Sequence, residues 1–422
     1  MHPSQRRLRN LIVVPIAVLT VGMSSSVTFA ASHHAPASQR HIKVMTRNLY
    51  LGADLTPLLA ATNPLACAAA LAAKVEASQP DKRMAYVAKE IEAAKPDLVA
   101  LQEVANWAIY GKSPLDGSQL VPAANYDFLA LLQHDLATAG MPYRVVISQD
   151  NFDSSKQLPA ALVALATFSD RDVILERKGL PTSKLKVVKT FSTHYKTQMS
   201  IPVASLGVSI NFDRGYEWAD VMTHGQPWRF VNTHPEAYTP AQLGIPGNDV
   251  NGPQAAELAA ALKRVKTPIV IAGDLNSKLH DPDLGGYPVL RKAGYHDTWL
   301  TLGLPNNAFT CCRNEDLSGG KLSGRIDHGL EPEIDRRLVH PRAVAVEIWR
   351  HAFEGARAVE DGRTEPDAMG PGPHDRHIAL VPLTLEEGPG LRPVRHCKAP
   401  SRHGVMRTRR THAKRAAPIF DH

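Results

Sequence analysis

The sequence predicts a layered α/β fold, on three observations. Short apolar runs recur along the chain, each ending in a carboxylate, amide or imidazole group. Helical spacings of apolar residues stand between some of them. Hydrophobic residues make up 44% and charged residues 21%, the balance of a globular chain rather than a disordered or collagen-like one. In layered α/β folds strand ends meet along one edge of the sheets, so polar groups far apart in sequence line one cleft.

The elements follow in order. Ile42 to Thr46 alternates like a strand and stops at Arg47-Asn48. Met84, Val87, Ala88 and Ile91 fall at i, i+3, i+4 and i+7, one face of a helix over 82–94 that Pro96-Asp97 ends. Leu98 to Leu101 is a short buried strand delivering Gln102-Glu103. Arg229 to Asn232 leads to Thr233-His234. Ala255, Leu258, Ala259 and Leu262 mark a second helix, and Ile269 to Ala272 empties into Gly273-Asp274-Leu275-Asn276. A last strand, Ile378 to Leu383, follows His374-Asp375-Arg376-His377. One such ending is weak, because Asp and Asn also terminate strands as turn residues. Five together are hard to dismiss.

The formal charge of +7 is unevenly placed. Residues 1–40 carry +4 and residues 391–422 carry +8, leaving −5 for 41–390. The first end reads as an export signal over residues 1–30: Arg6, Arg7 and Arg9, then an apolar stretch from Leu11 to Met23, then small residues before a cut near Ala30. An uncleaved anchor is the competing reading, but the run is shorter than the ~20 residues a bilayer needs. Residues 31–40 read as a linker, 41–387 as the folded body and 388–422 as a basic tail expected to be disordered, able to touch an anionic surface or simply solvated. The mature chain is expected to lack a transmembrane segment and to be secreted or periplasmic; its oligomeric state is not legible. Outside the cytoplasm disulfides are permitted, and no spacing of the four cysteines suits zinc; because a bond between adjacent Cys311 and Cys312 would need a strained eight-membered ring, one of them is expected to pair with Cys67 instead.

Several of these endings form a recognisable set. Thr46-Arg47-Asn48, Lys95 to Val104 (KPDLVALQEV), Val231 to His234 (VNTH), Gln254 with Glu257-Leu258, Ile271 to Ser277 (IAGDLNS), Gly294 to Asp297 (GYHD) and Arg325 to His328 (RIDH) occur in this order over about residues 42–383. The set resembles the endonuclease/exonuclease/phosphatase superfamily of deoxyribonuclease-like, metal-dependent phosphoesterases. That resemblance implies a two-layer β-sandwich flanked by helices, four layers in all, with the site at one edge of the sheets. It makes 41–387 the catalytic domain.

The resemblance also assigns roles that suit the chemistry. Hydrolysing a phosphoester sets a nucleophile against an anionic centre and builds charge on the leaving oxygen, which a hard divalent cation on oxygen ligands neutralises. Glu103 would be the principal metal carboxylate, with Asn48 beside it. Asp274 would orient or deprotonate water, and Asn276 would hold a phosphate oxygen. His234 would contact phosphate or protonate the leaving group, and Asp327 would orient a terminal histidine. The competing readings are local: Glu103 as a strand-end acid, Asn48 as a turn residue, Asp274 to Asn276 as a tight turn, His234 as structural, Asp327 as an ion-pair partner of Arg325. The implied cofactor is Mg²⁺, with Mn²⁺ or Ca²⁺ as alternatives.

The sequence departs from the family pattern at Pro373 to His377, where Ser-Asp-His is usual. Either Asp375 aligns, or His377 does, or one inserted residue lets both point inward; the last leaves the apolar run at Ile378 where it is expected. On that reading Asp375 is a metal ligand and His377 a catalytic residue. Three function classes stay open: a secreted hydrolase of a non-nucleic-acid phosphoester such as a lipid headgroup, a secreted nuclease, and a non-catalytic binding relative. The −5 of the body disfavours a phosphate-tracking groove. Arg171, Arg177, Lys178, Lys184, Lys186 and Lys189 form a basic stretch that either lines such a groove or is a solvated insertion, and Tyr110, Trp218 and Trp228 are the candidates for an exposed aromatic at a lipid surface.

Overall fold

A computed structural model describes residues 42–279, 283–301, 309–311, 325–332 and 346–349. The expected signal segment, linker, basic tail, last strand from Ile378, and both Asp375 and His377 lie outside the described residues. The first sheet contains β1 (Ile42–Asn48), β2 (Leu98–Gln102), β3 (Asn106–Ile109), β4 (Ala124–Asp127), β5 (Tyr143–Asp153) and β6 (Ala166–Arg177). After β7 (Lys186–His194), which belongs to the second sheet, a small hairpin forms from β8 (Ser200–Val203) and β9 (Val208–Asn211). The second sheet continues with β10 (Gly215–Thr223), β11 (Gln226–Thr233), β12 (Ile269–Asp274), β13 (Tyr295–Asp297) and β14 (Asp327–Pro332), and β15 (Val346–Trp349) returns to the first. Strand order is β15-β1-β2-β6-β3-β4 in one sheet, with β5 also on β6, and β13-β14-β12-β11-β10-β7 in the other.

The predicted sandwich of two sheets flanked by helices is the observed architecture. Ile42, Val44, Leu98, Ala100 and Ile174 of the first sheet meet Ala219, Val221, Phe230, Val270 and Ala272 of the second. The outer face of the first sheet, with Met45, Val99 and Leu101, is covered by Met84, Val87 and Ile91 of the helix Pro80–Ala94 and by Leu132 and Leu136 of the helix Phe128–Thr138. On the far side, Val231, Ile269 and Ile271 pack against Ala255 and Leu258 of the helix Asn251–Leu262 and Tyr287 and Leu290 of the helix Gly286–Lys292. β2 is covered on both faces and buried throughout, which is why it reads as an unbroken apolar run rather than an alternating one.

Local signals placed the boundaries well. The helix of residues 80–94 begins with Pro80 in its first turn, where a missing N–H costs nothing, and ends at Lys95, whose φ of 50° turns the chain while its N–H bonds to Ile91 O. Gly273 is forced by pairing: a Cβ there would stand 2.1 Å from Thr233 O on the neighbouring parallel strand. Cys67 does not make the expected bond. It is a buried thiol in the helix Pro64–Ala77, packed in the outer apolar layer, while Cys311 is in a disulfide of its own. Among the described residues no helix is long and apolar enough to cross a membrane.

Candidate active site

β1 and β2 run parallel, and β12 lies in the facing sheet, so their C-terminal ends bring three motifs to one rim. Asn48 Nδ2 donates to Glu103 Oε1 and to Asp274 Oδ2, each at 2.9 Å, across 55 and 226 residues of sequence. Asn48 Oδ1 accepts the Tyr50 N–H at 2.7 Å, so the amide nitrogen is the end that faces the carboxylates. Glu103 Oε2 accepts the Leu51 N–H at 2.6 Å. Tyr50, Glu103 and Asn276 all have positive φ, 61°, 53° and 51°, a backbone state that L-residues adopt at a cost and that clusters at functional sites.

Asp274 is buried, and its carboxyl is held well above the usual range, first by burial and then by Asp327, its partner across β12 and β14. Asn276 donates its backbone N–H to Asp274 Oδ1 at 2.8 Å and its side-chain Nδ2 to Pro235 O at 3.1 Å. His234 is fully enclosed. Arg214 Nη1 lies 3.0 Å from its Nδ1, and because a guanidinium only donates, Nδ1 must accept and Nε2 must carry the proton. That Nε2 points to Glu103 Oε1, 4.0 Å away. Burial, and then the Arg214 charge, push the imidazole down to about 3, so it is neutral at ordinary pH.

Glu103, Asn48, Asp274, Asn276, His234 and Asp327 therefore occupy one rim. Arg325, the alternative partner for Asp327, is ion-paired to Asp297 at 2.6 Å. Other motif positions frame the site instead of facing it. Gln102 Nε2 donates to Asn232 Oδ1 at 2.7 Å, and Asn232 Nδ2 donates to Leu101 O and Glu217 Oε1, each at 3.0 Å, pinning the sheets together beneath the rim. His328 lies between Asp297 and the Ser277 carbonyl. Gln254 Oε1 accepts the Glu236 N–H, and Glu257 accepts two N–H groups, from Lys196 and Thr197.

The sequence reading missed a polar chamber behind His234. Asp170 and Asp172 of β6, Asn151 of β5, Arg214 and Glu236 are all buried there. Burial raises the Asp170 carboxyl to about 8, with Asp172 adding, and burial likewise raises Asp172 to about 7. The available signal was two acids alternating in Ser169-Asp-Arg-Asp172 just ahead of an apolar run; Arg214, in a loop, offered none.

Among the described residues no three of His, Cys, Asp or Glu are grouped to hold a metal; Asp375, assigned as a ligand, lies outside them. The rim's chemistry nevertheless suits a hard divalent cation. Asp327 and Glu103 disfavour the ionised form of buried Asp274, and a cation relieves that repulsion.

No protein-family model matches the chain, and no curated protein matches it. Solved structures do. Humanized D. rerio TDP2 is 15% identical over 69% of this chain and 83% of its own, with a TM-score of 0.38. An endonuclease/exonuclease/phosphatase family protein from Leptotrichia buccalis is 14% identical over 59% and 80%, with a TM-score of 0.36. A Bacteroides thetaiotaomicron mannosyl-6-phosphatase is 15% identical over 59% and 76%, with a TM-score of 0.35.

Proposed function

We propose that this chain is a divalent-cation-dependent phosphoester hydrolase, exported from the cell, with Glu103 at its centre. The observation that carries the reading is Asn48 bridging Glu103 and Asp274, which joins three separate motifs into one constellation. Glu103 would hold the cation, with Asn48 beside it and together with Asp375; when bound, it supplies charge neutralisation at the phosphate. Asn48 spaces the two carboxylates and keeps Glu103 aimed at the rim. Asp274, whose proton affinity is raised by burial, accepts the proton of the attacking water. His234 Nε2–H is a donor to a phosphate oxygen. As a neutral imidazole it steadies the developing charge and is not the acid for the leaving group. The second hydrogen of Asn276 Nδ2 serves the same anion.

Purified full-length protein is expected to hydrolyse bis-p-nitrophenyl phosphate, to lose this activity in EDTA and to regain it with Mg²⁺. Hydrolysis unaffected by chelation would sink the reading, and no hydrolysis with Mg²⁺, Mn²⁺ or Ca²⁺ would leave the non-catalytic alternative.

The favoured substrate is a phosphoester on a lipid headgroup. β2 pairs with residues 173–176 of β6, whereas β3 pairs with residues 166–169, so β3 carries the chain past the rim on the Glu103 side. The loop it leads into exposes Tyr110 at 50%, Leu115 at 85% and Leu120 at 41%, whereas Trp218 and Trp228 are buried. An apolar loop beside the site suits an interface. The basic stretch supports a nucleic-acid groove poorly: Arg171 is paired with Asp127, and Arg177 and Lys184 with buried Asp97. Leu115→Asp is expected to lower turnover of phospholipid vesicles about tenfold while sparing bis-p-nitrophenyl phosphate, the cost of one charge at an apolar contact. Equal turnover of vesicles by both proteins would remove the lipid preference, and plasmid nicking would put the nuclease in its place.

A further inference from the structure

The helix Pro80–Ala94 turns Met84, Val87, Ala88 and Ile91 inward, and Arg83 is buried on the same face. It is 5% exposed, and burial lowers its guanidinium only to about 10, so it is charged at ordinary pH. A cation close to a helix N-terminus opposes the helix dipole, and a buried one loses its hydration. No ion pair offsets these costs: among the described residues its hydrogen bonds all go to backbone carbonyls. The guanidinium lies over the rings of Tyr50 and Phe128, 5.4 and 5.1 Å from their centroids.

Those carbonyls explain the placement. Nε donates to Ser78 O at 3.0 Å, just ahead of the helix, while Nη1 donates to Leu49 O at 2.6 Å and to Tyr50 O at 3.1 Å. Trp107 Nε1 donates to Leu51 O at 2.8 Å. All three carbonyls of the turn after β1 are therefore held by side chains from elsewhere in the chain. The N–H groups of the same turn point the other way, Tyr50 N–H to Asn48 Oδ1 and Leu51 N–H to Glu103 Oε2. Tyr50 has a φ of 61°, a state that a tyrosine keeps only when its surroundings impose it. Glu103 is also the carboxylate whose charge reaches Arg83.

We propose that Arg83 is a positioning residue for the rim: by holding the Leu49 and Tyr50 carbonyls it fixes the turn that aims Glu103 and Asn48, and through them it sets the rim's affinity for a divalent cation. The assignment rests on the reading of Glu103 and Asn48 as the cation-side residues. Arg83 acts through the backbone of the turn and contacts neither cation nor substrate. An arginine suits the task because one nitrogen spans two carbonyls while Nε anchors the planar fork on Ser78. Groups that orient a ligating side chain change metal affinity roughly 10- to 100-fold when they are removed.

The test compares full-length Arg83→Met protein with its parent by two measurements that need no turnover. Hydrogen exchange followed by NMR reads the Tyr50 and Leu51 amides, with Val99 and Leu101 of buried β2 as references, and calorimetry reads Mn²⁺ affinity. The Tyr50 and Leu51 amides are expected to exchange about thirtyfold faster while Val99 and Leu101 stay unchanged. Mn²⁺ binding should weaken about tenfold. Exchange rising equally at all four amides would make Arg83 a general stabiliser and refute the assignment, as would an unchanged Mn²⁺ affinity. Should Arg83→Met fail to fold, Arg83→Gln, which keeps one donor without the charge, decides by the same readings. A parent that binds no Mn²⁺ removes the cation reading of the rim, and the assignment with it, so the two failures are distinguishable.

Discussion

Glu103→Gln is expected to lower kcat/KM toward bis-p-nitrophenyl phosphate on the order of 10³-fold, with the fold intact. Glu103 Oε1 and Oε2 each accept a hydrogen bond, from Asn48 Nδ2 and from the Leu51 N–H. A glutamine matches the shape but must set its own NH₂ against one of those donors, and it carries no charge to hold a cation. The side chain also sits on a strained backbone, φ 53°. Steady-state kinetics alongside circular dichroism and Tm measure the outcome. A variant that keeps parental kcat/KM would remove Glu103 from the centre of the site.

The largest loss of stability is expected far from the chemistry, at Asp97→Ala. Asp97 is completely buried at the opening of β2, where it accepts from the Lys43 N–H at 3.0 Å and from both Arg177 and Lys184. Removing it leaves two cations, largely enclosed, facing a void, and breaking such a cluster from one side costs about 3–5 kcal/mol. Asp97→Asn keeps an acceptor for the backbone and should lose less. Urea unfolding with a shared m-value would measure both, and a change below about 1 kcal/mol for Asp97→Ala would mean that the cluster is solvated.

These two residues sit six positions apart in one motif, Lys95 to Val104, and only one of them faces the rim. The same division runs through the other motifs. Asn232 and Gln102 are as much part of their motifs as His234 and Glu103, yet they tie the two sheets together below the site. Asp297 and His328 brace Arg325 and the Ser277 carbonyl. A motif records which residue types recur at a spacing. It does not separate a carboxylate that binds substrate from one that neutralises a buried arginine, because both needs select the same side chain.

What the sequence determined by itself was the layered fold, its main buried strands and the six described residues on the rim. Apolar periodicity is a local property, and each strand end carries its own polar group, so both are readable without knowing what packs on what. Tertiary structure decided the rest. The tautomer of His234 follows from Arg214, twenty residues away in a loop with no periodic signal. The buried acids of β6 became a chamber because β5 bulges at Asn151 and the second sheet closes over them. Cys67 went into the core of a helix layer rather than into a disulfide. Each of these depends on the environment that distant segments create, through burial and neighbouring charge, and neither quantity exists until the chain has folded.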